Sequence, residues 1–259
     1  MRWWWRWLTV SPFDPASDEV HCWSVSLDAP PNTLAGLLAT LTRDERDRAA
    51  RLRFERDRRR FVVARATLRE LLGRYLGTPP DRLRFDYNAF GKPRVSPEFH
   101  GPSPVRFNLS HSADLALIAV AWGAEVGVDV EHIRPSDYGD LARSCFAPSE
   151  LAQLRAAPRH LQARAFFTSW TRQEAYVKAR GEGLPDGPVE PRGQWAFVSL
   201  EPAPGYVGAV AIEGNGRGPF YATPYAQRLY GRYSLSRFAL ISSRVNHAGR
   251  NSPRAYSGA

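Results

Sequence analysis

The sequence predicts an α+β protein made of two subdomains of similar content. Three observations carry this. The chain has 259 residues, enough for one large domain or two small ones with real cores. Two segments, roughly 20–125 and 126–214, each mix long helical patterns with short strand patterns that look antiparallel. Both ends outside those segments differ in composition from everything between them.

That difference is one of charge. The formal net charge is +9. Residues 216–259 carry seven arginines and no acid, and residues 1–13 carry Arg2 and Arg6 and no acid. These nine account for the whole excess, so the body is formally neutral. A nucleic-acid-binding protein is the rival class that a pI near 10.0 invites, and the neutral body counts against it. The expected division is a Trp/Arg extension over 1–19, an N-terminal subdomain over 20–125, a C-terminal subdomain over 126–215 and a basic, irregular tail over 216–259. The start, Met1 to Trp7, has tryptophans where a secretory signal needs aliphatic residues. No apolar run reaches the roughly 20 residues of a membrane span. Cys22 and Cys145 are too few for a disulfide framework, so a reduced, cytoplasmic setting is expected.

Val20–Leu27 alternates as a strand and Asp28-Ala29-Pro30-Pro31 ends it. Leu34–Leu41 reads as a short helix. Thr42 with Glu45 is a capping-box pattern, and the helical period continues to Leu72 with a break near Phe54–Asp57. Leu83–Phe85 is a short strand and Asn88–Pro93 a turn. Val105–Leu109 and Ala113–Trp122 form a strand pair around a polar link, Asn108–Ser112. Leu115–Ala121 is continuously apolar, as a strand covered on both faces would be. Asp137–Phe146 and Pro148–Ala156 are helical, with Pro148 in a first turn. A long helix over Arg159–Arg180 stops at Gly181. Trp195–Leu200 and Gly205–Glu213 are strands. Beyond them one short strand, Phe238–Ser242, is the single regular candidate.

The chemistry concentrates in two of these elements. Gly127-Val128-Asp129-Val130-Glu131 is a strand that turns Asp129 and Glu131 to one face. On the long helix, Trp170, Glu174 and Lys178 recur every four residues and share one stripe. Three carboxylates with a lysine one turn away suit a hard, oxygen-liganded cation beside phosphate. The lysines sharpen this. The chain has 33 arginines but only Lys92 and Lys178, and both lie in candidate sites. A lysine is a compact ammonium able to approach a single phosphate oxygen.

Four motifs, in this order and spacing, resemble the 4′-phosphopantetheinyl transferases of the surfactin-synthetase-activating type: Phe90-Gly91-Lys92-Pro93, Phe107–Ser112, Gly127–Glu131 and Phe167–Leu184. The resemblance covers about 20–213. It implies a pseudo-duplicated α+β fold with the active site in the cleft between the halves, and a monomer. The implied reaction moves phosphopantetheine from coenzyme A to a serine of an acyl, peptidyl or aryl carrier protein and releases adenosine 3′,5′-bisphosphate; this is holo-[acyl-carrier-protein] synthase chemistry. By the resemblance, Asp129, Glu131 and Glu174 are Mg²⁺ ligands. Lys178 stabilises charge on the pyrophosphate, and Glu150 is the base for the carrier serine. Lys92, Pro93, Ser110 and His111 contact the adenosine and its 3′-phosphate, with Arg48 and Arg60 as further basic contacts.

Two departures stand out. The family usually has Lys-Glu where this chain has Gln173-Glu174, and little usually follows the last core strand. Blander readings stay open for single residues. Glu150 also suits a helix start at the positive dipole end, His111 a turn histidine, and the arginines of 43–69 a solvated face with i,i+4 pairs. A degenerate transferase kept as a carrier-binding module is a further alternative.

Overall fold

In the computed structural model, which describes residues 20–136, 138–214 and 220–224, a β-strand at Val20–Ser26 (β1) leads into three helices. These are Leu34–Thr40 (α1), Arg43–Ala50 (α2) and Glu55–Leu76 (α3). A hairpin follows, Phe85–Tyr87 (β2) with Pro93–Val95 (β3), then one helical turn, Pro97–His100 (α4). Val105–Ser112 (β4) and Leu115–Trp122 (β5) complete the first half. The second half runs Val126–His132 (β6), Gly139–Cys145 (α5), Pro148–Ala156 (α6), Arg159–Arg180 (α7), Trp195–Leu200 (β7) and Tyr206–Glu213 (β8). A last strand, Phe220–Pro224, is β9.

The two halves repeat one topology. In the first, β5 lies between β1 and β4 and is antiparallel to both. In the second, β8 lies between β6 and β7, again antiparallel to both. Each half thus reads as a strand, a helical excursion and a returning pair whose last strand enters the middle. Each excursion contains a 22-residue helix that ends at a left-handed glycine, Gly77 (φ 60°) or Gly181 (φ 68°), a conformation that costs glycine nothing. The α+β expectation of two similar halves is met.

The continuously apolar strand β5 shows why. Ala116, Ile118 and Val120 pack against the core of α1–α3, while Leu117, Ala119 and Ala121 pack against Val126, Val128 and Val130 of β6. One strand is thus buried on both faces and joins the two cores. Under the helical layer, Arg69 (1% exposed) bonds Glu45 (3% exposed) at 2.5 Å and also donates to the carbonyls of Pro80 and Leu83. Glu45 reaches back to the Thr42 amide at 3.1 Å, the expected capping contact. Burial by itself raises the Glu45 pKa; the guanidiniums of Arg65 and Arg69 outweigh it and hold the group below the usual carboxylate range.

Several element boundaries differ from expectation by a few residues. The strand expected at Leu83–Phe85 lies at Phe85–Tyr87, and the helix expected to end at Leu72 runs to Leu76. Three further differences change the architecture. The long N-terminal helix breaks at residues 51–54, just before the anticipated point. Asn108–Ser112 is no link: β4 runs through Ser112, and the turn is the two-residue Ala113-Asp114, with Ala113 at φ 49°, the positive φ that a tight hairpin demands. The tail expected to be irregular supplies β9, which pairs in parallel with β1 from Val20↔Phe220 to Ser24↔Pro224 and covers the sheet edge. The Trp/Arg extension and the strand expected at Phe238–Ser242 lie outside the described residues.

Candidate active site

Strand alternation builds the site. On β6 the valines face β5, so Gly127, Asp129 and Glu131 face α7. Gly127 allows the helix to lie directly on the strand: a Cβ there would fall 2.0 Å from the Ala175 carbonyl oxygen and 2.3 Å from the Ala179 nitrogen. One step along, Lys178 Nζ donates to Asp129 Oδ1 at 2.6 Å, with Glu174 Oε2 at 3.8 Å. The stripe on α7 and the carboxylates on β6 therefore meet, as their spacing implies.

The polar run on β4 supplies the other wall. Asn108, Ser110 and Ser112 alternate onto one face, toward β6. Asn108 Oδ1 accepts from the Val128 amide at 3.0 Å. Ser110 Oγ donates to Asp129 Oδ1 at 2.7 Å and receives Lys178 Nζ at 3.2 Å. Ser112 Oγ donates to Glu131 Oε2 at 2.7 Å and accepts from the His132 amide at 3.1 Å. Each carboxylate of β6 thus has its own serine. Sequence reasoning singled out Ser110 and missed Asn108 and Ser112. The signal was available, because i, i+2 and i+4 share a face once the segment is read as a strand.

Electrostatics agree with the geometry. Burial, and then the neighbouring Asp129, push the Glu131 pKa up against its hydrogen bond from Ser112. Burial likewise raises Glu174; the Lys178 ammonium works against it, and the charges of Asp129 and Glu131 add to it. Asp129 Oδ2 is buried and makes no hydrogen bond among the described residues. An all-oxygen donor set with a buried, unpaired carboxylate oxygen fits a small hard cation. As the side chains stand, no three His, Cys, Asp or Glu groups among the described residues are gathered as metal ligands; the ammonium of Lys178 occupies Asp129 instead.

Glu150 sits at the start of α6. Its Oε2 accepts from the Ala147 amide at 3.0 Å, a capping contact, and also from Gln173 Nε2 at 3.0 Å. Gln173 is 7% exposed and its Oε1 has no partner among the described residues. The residue at which the chain departs from the family it resembles is therefore the side chain that bonds Glu150. Gln173 and Glu174 are consecutive on α7, about 100° apart around the helix.

The remaining candidates scatter. His111 alternates away from Ser110. Packing around its ring and the charges of Lys178 and Arg60 lower its pKa. Arg60 pairs with Asp28 at 3.2 Å, and Arg48 stacks over Phe61 at 5.6 Å. Pro93 opens β3 opposite Tyr87. Lys92 is not in the cluster: its ammonium bonds Glu125 Oε2 at 2.6 Å and the Ala179 carbonyl at 2.5 Å.

Known proteins match the chain in the same two halves. Residues 27–123 match the profile "4′-phosphopantetheinyl transferase, N-terminal", and residues 125–218 that of the 4′-phosphopantetheinyl transferase superfamily. The chain is similar to 4′-phosphopantetheinyl transferase HetI of Nostoc sp., with 41% identity over 228 residues, 82% of this chain and 96% of that protein. It is also similar to 4′-phosphopantetheinyl transferase psf-1 of Bacillus pumilus, with 34% identity over 146 residues, 56% of this chain and 59% of that one. Against 4′-phosphopantetheinyl transferase AcpT of Salmonella typhi the identity is 40% over 134 residues, 51% of this chain and 61% of that one. With both halves matched, and one relative covered almost end to end, the chain belongs to the 4′-phosphopantetheinyl transferase superfamily.

Proposed function

We infer that this transferase moves the 4′-phosphopantetheine group of coenzyme A onto a carrier-protein serine at the β6–α7 cluster. The observation that carries the reading is the convergence on Asp129 of Lys178 Nζ and Ser110 Oγ, with Glu174 and Glu131 beside it.

Asp129, Glu131 and Glu174 are the residues that would hold Mg²⁺, the unpaired Asp129 Oδ2 first among them. A bound Mg²⁺ supplies positive charge for the pyrophosphate oxygens. Ser110 and Ser112 orient their carboxylates, so the ligand oxygens are set before the substrate arrives. Lys178 lies within reach of the same oxygens and neutralises charge that grows on the leaving phosphate. Glu150, held by Ala147 and Gln173, takes the serine hydroxyl proton directly or through water. The serine oxygen then forms its bond to the β-phosphorus of coenzyme A. The bond from that phosphorus to the bridging oxygen breaks, and adenosine 3′,5′-bisphosphate leaves. Most of the rate enhancement comes from positioning and electrostatics. His111, and Arg60 whose charge acts on it, are the residues that would meet the nucleotide's 3′-phosphate.

The holo-[acyl-carrier-protein] synthase activity, a monomeric state and a cytoplasmic location belong to this reading. Both described cysteines are free, with the buried Cys22 thiol pushed up to about 12, in keeping with a reducing compartment. No helix among the described residues is long and apolar enough to cross a membrane. The degenerate-transferase and nucleic-acid readings find no support in the relatives. Incubation with coenzyme A, Mg²⁺ and an apo carrier protein tests the proposal: one phosphopantetheine added to the serine supports it, and an unmodified carrier contradicts it.

A further inference from the structure

The four-residue stretch from Ala179 to Glu182 ends α7, and the β2–β3 turn of the other half grips it. Asn88 Oδ1 accepts from the amides of Phe90 and Lys92 at 3.0 and 2.9 Å, which fixes the turn from inside. Its Nδ2 donates outward to the Gly181 carbonyl at 2.7 Å. Lys92 Nζ donates to the Ala179 carbonyl at 2.5 Å and pairs with Glu125, whose other oxygen is held by Arg106 Nε at 2.8 Å. These carbonyls belong to the end of a helix, where no intrahelical donor remains and the dipole favours a cation. The fit is close: a Cβ on Gly181 would fall 2.6 Å from Asn88 Nδ2 and 3.1 Å from Lys92 Cδ, and one on Gly183 would fall 3.3 Å from the Phe90 ring. On its other side the same last turn rests on Gly127.

We propose that the Asn88–Lys92 turn is an inter-half clasp that positions α7, and that Lys92 acts on the transfer through Lys178 and Glu174 rather than by touching the nucleotide. The proposal rests on the functional reading above for the roles of Lys178 and Glu174. Lys178 immediately precedes Ala179, so a last turn pinned by Asn88, Lys92 and Gly127 fixes where its ammonium can reach. The lysine that the family resemblance assigns to the nucleotide is held at a helix terminus. The first half thereby sets the register of the catalytic helix of the second.

The test uses the full chain with Lys92→Met, Lys92→Arg and Asn88→Ala. Hydrogen exchange of the metal- and substrate-free protein reads the clasp without requiring activity: Lys92→Met and Asn88→Ala should speed exchange of the amides of 177–182 while the strands keep their protection. Unchanged protection at 177–182 overturns the clasp. Steady-state kinetics read its consequence. Lys92→Met should lower kcat about tenfold with the coenzyme A KM within about twofold, and Lys92→Arg, which keeps a charged donor, should recover most of the loss. A raised coenzyme A KM with kcat unchanged overturns the proposal and makes Lys92 a nucleotide contact. Failure of the functional reading is distinct: it appears as a wild-type protein without transfer, and the exchange result still decides the clasp.

Discussion

Gln173 donates its amide to Glu150 across 3.0 Å, and its buried carbonyl oxygen finds no partner among the described residues. Glu150 is at once a helix cap and the proposed base, and these roles separate experimentally. Glu150→Gln keeps an oxygen that can accept from Ala147 but removes the proton acceptor. It should lower kcat by about 10²–10⁴ with little change in Tm. Glu150→Ala should in addition cost about 1 kcal/mol of stability. Equal activity in Glu150→Gln and the wild type would assign the residue to capping alone.

Gly127 tests the contact between strand and helix. Gly127→Ala places a methyl carbon 2.0 Å from the Ala175 oxygen and 2.3 Å from the Ala179 nitrogen. Backbone must move to relieve that, which costs about 1–3 kcal/mol and shifts Lys178 relative to Asp129. Thermal unfolding should show the loss, and activity should fall further than stability does.

The carboxylate cluster carries a pH signature. The folded-state pKa values of Glu131 and Glu174 are raised, so the folded state binds protons more tightly than the unfolded chain. In metal-free protein their contribution therefore weakens as pH rises from the ordinary carboxylate pKa through the raised values. Mg²⁺ should reverse this near neutral pH. At a hundredfold excess over its Kd the gain is about 2.7 kcal/mol, a Tm rise of about 5–10 °C. Scanning calorimetry with and without Mg²⁺ checks it, and Glu174→Ala should abolish most of the response.

Glu45 has the opposite sign. Its folded pKa is lowered by Arg65 and Arg69, so its stabilisation is complete above the unfolded value and is lost as pH falls through the folded one. Glu45→Gln leaves Arg69 charged and 1% exposed and should cost about 3–5 kcal/mol, measured by denaturant unfolding. Activity per folded molecule should not change.

Much of this was legible in the chain because local rules and burial agree there. Asp129 and Glu131 share a face by strand period, Glu174 and Lys178 share one by helix period, and Gly181 stops α7 as its left-handed conformation permits. The misreadings have physical causes. Asn108, Ser110 and Ser112 look like a polar link, yet they form a strand whose polar face is consumed by β6. The partners of Lys92 were not legible at all, since they lie 33 and 87 residues away. Strand β9 was hidden because its pairing to β1 is non-local and its segment has no clear period. The Gln173–Glu150 contact spans two helices, and only their packing reveals it.

Intact mass of an apo carrier protein, incubated with coenzyme A and Mg²⁺ and either the wild type or Lys178→Ala, Glu174→Ala or Asp129→Ala, tests the central claim most directly. The account predicts one phosphopantetheine per carrier with the wild type and a loss of at least about a hundredfold in rate with each variant. Variants that transfer as fast as the wild type would contradict a reaction centred on the β6–α7 cluster.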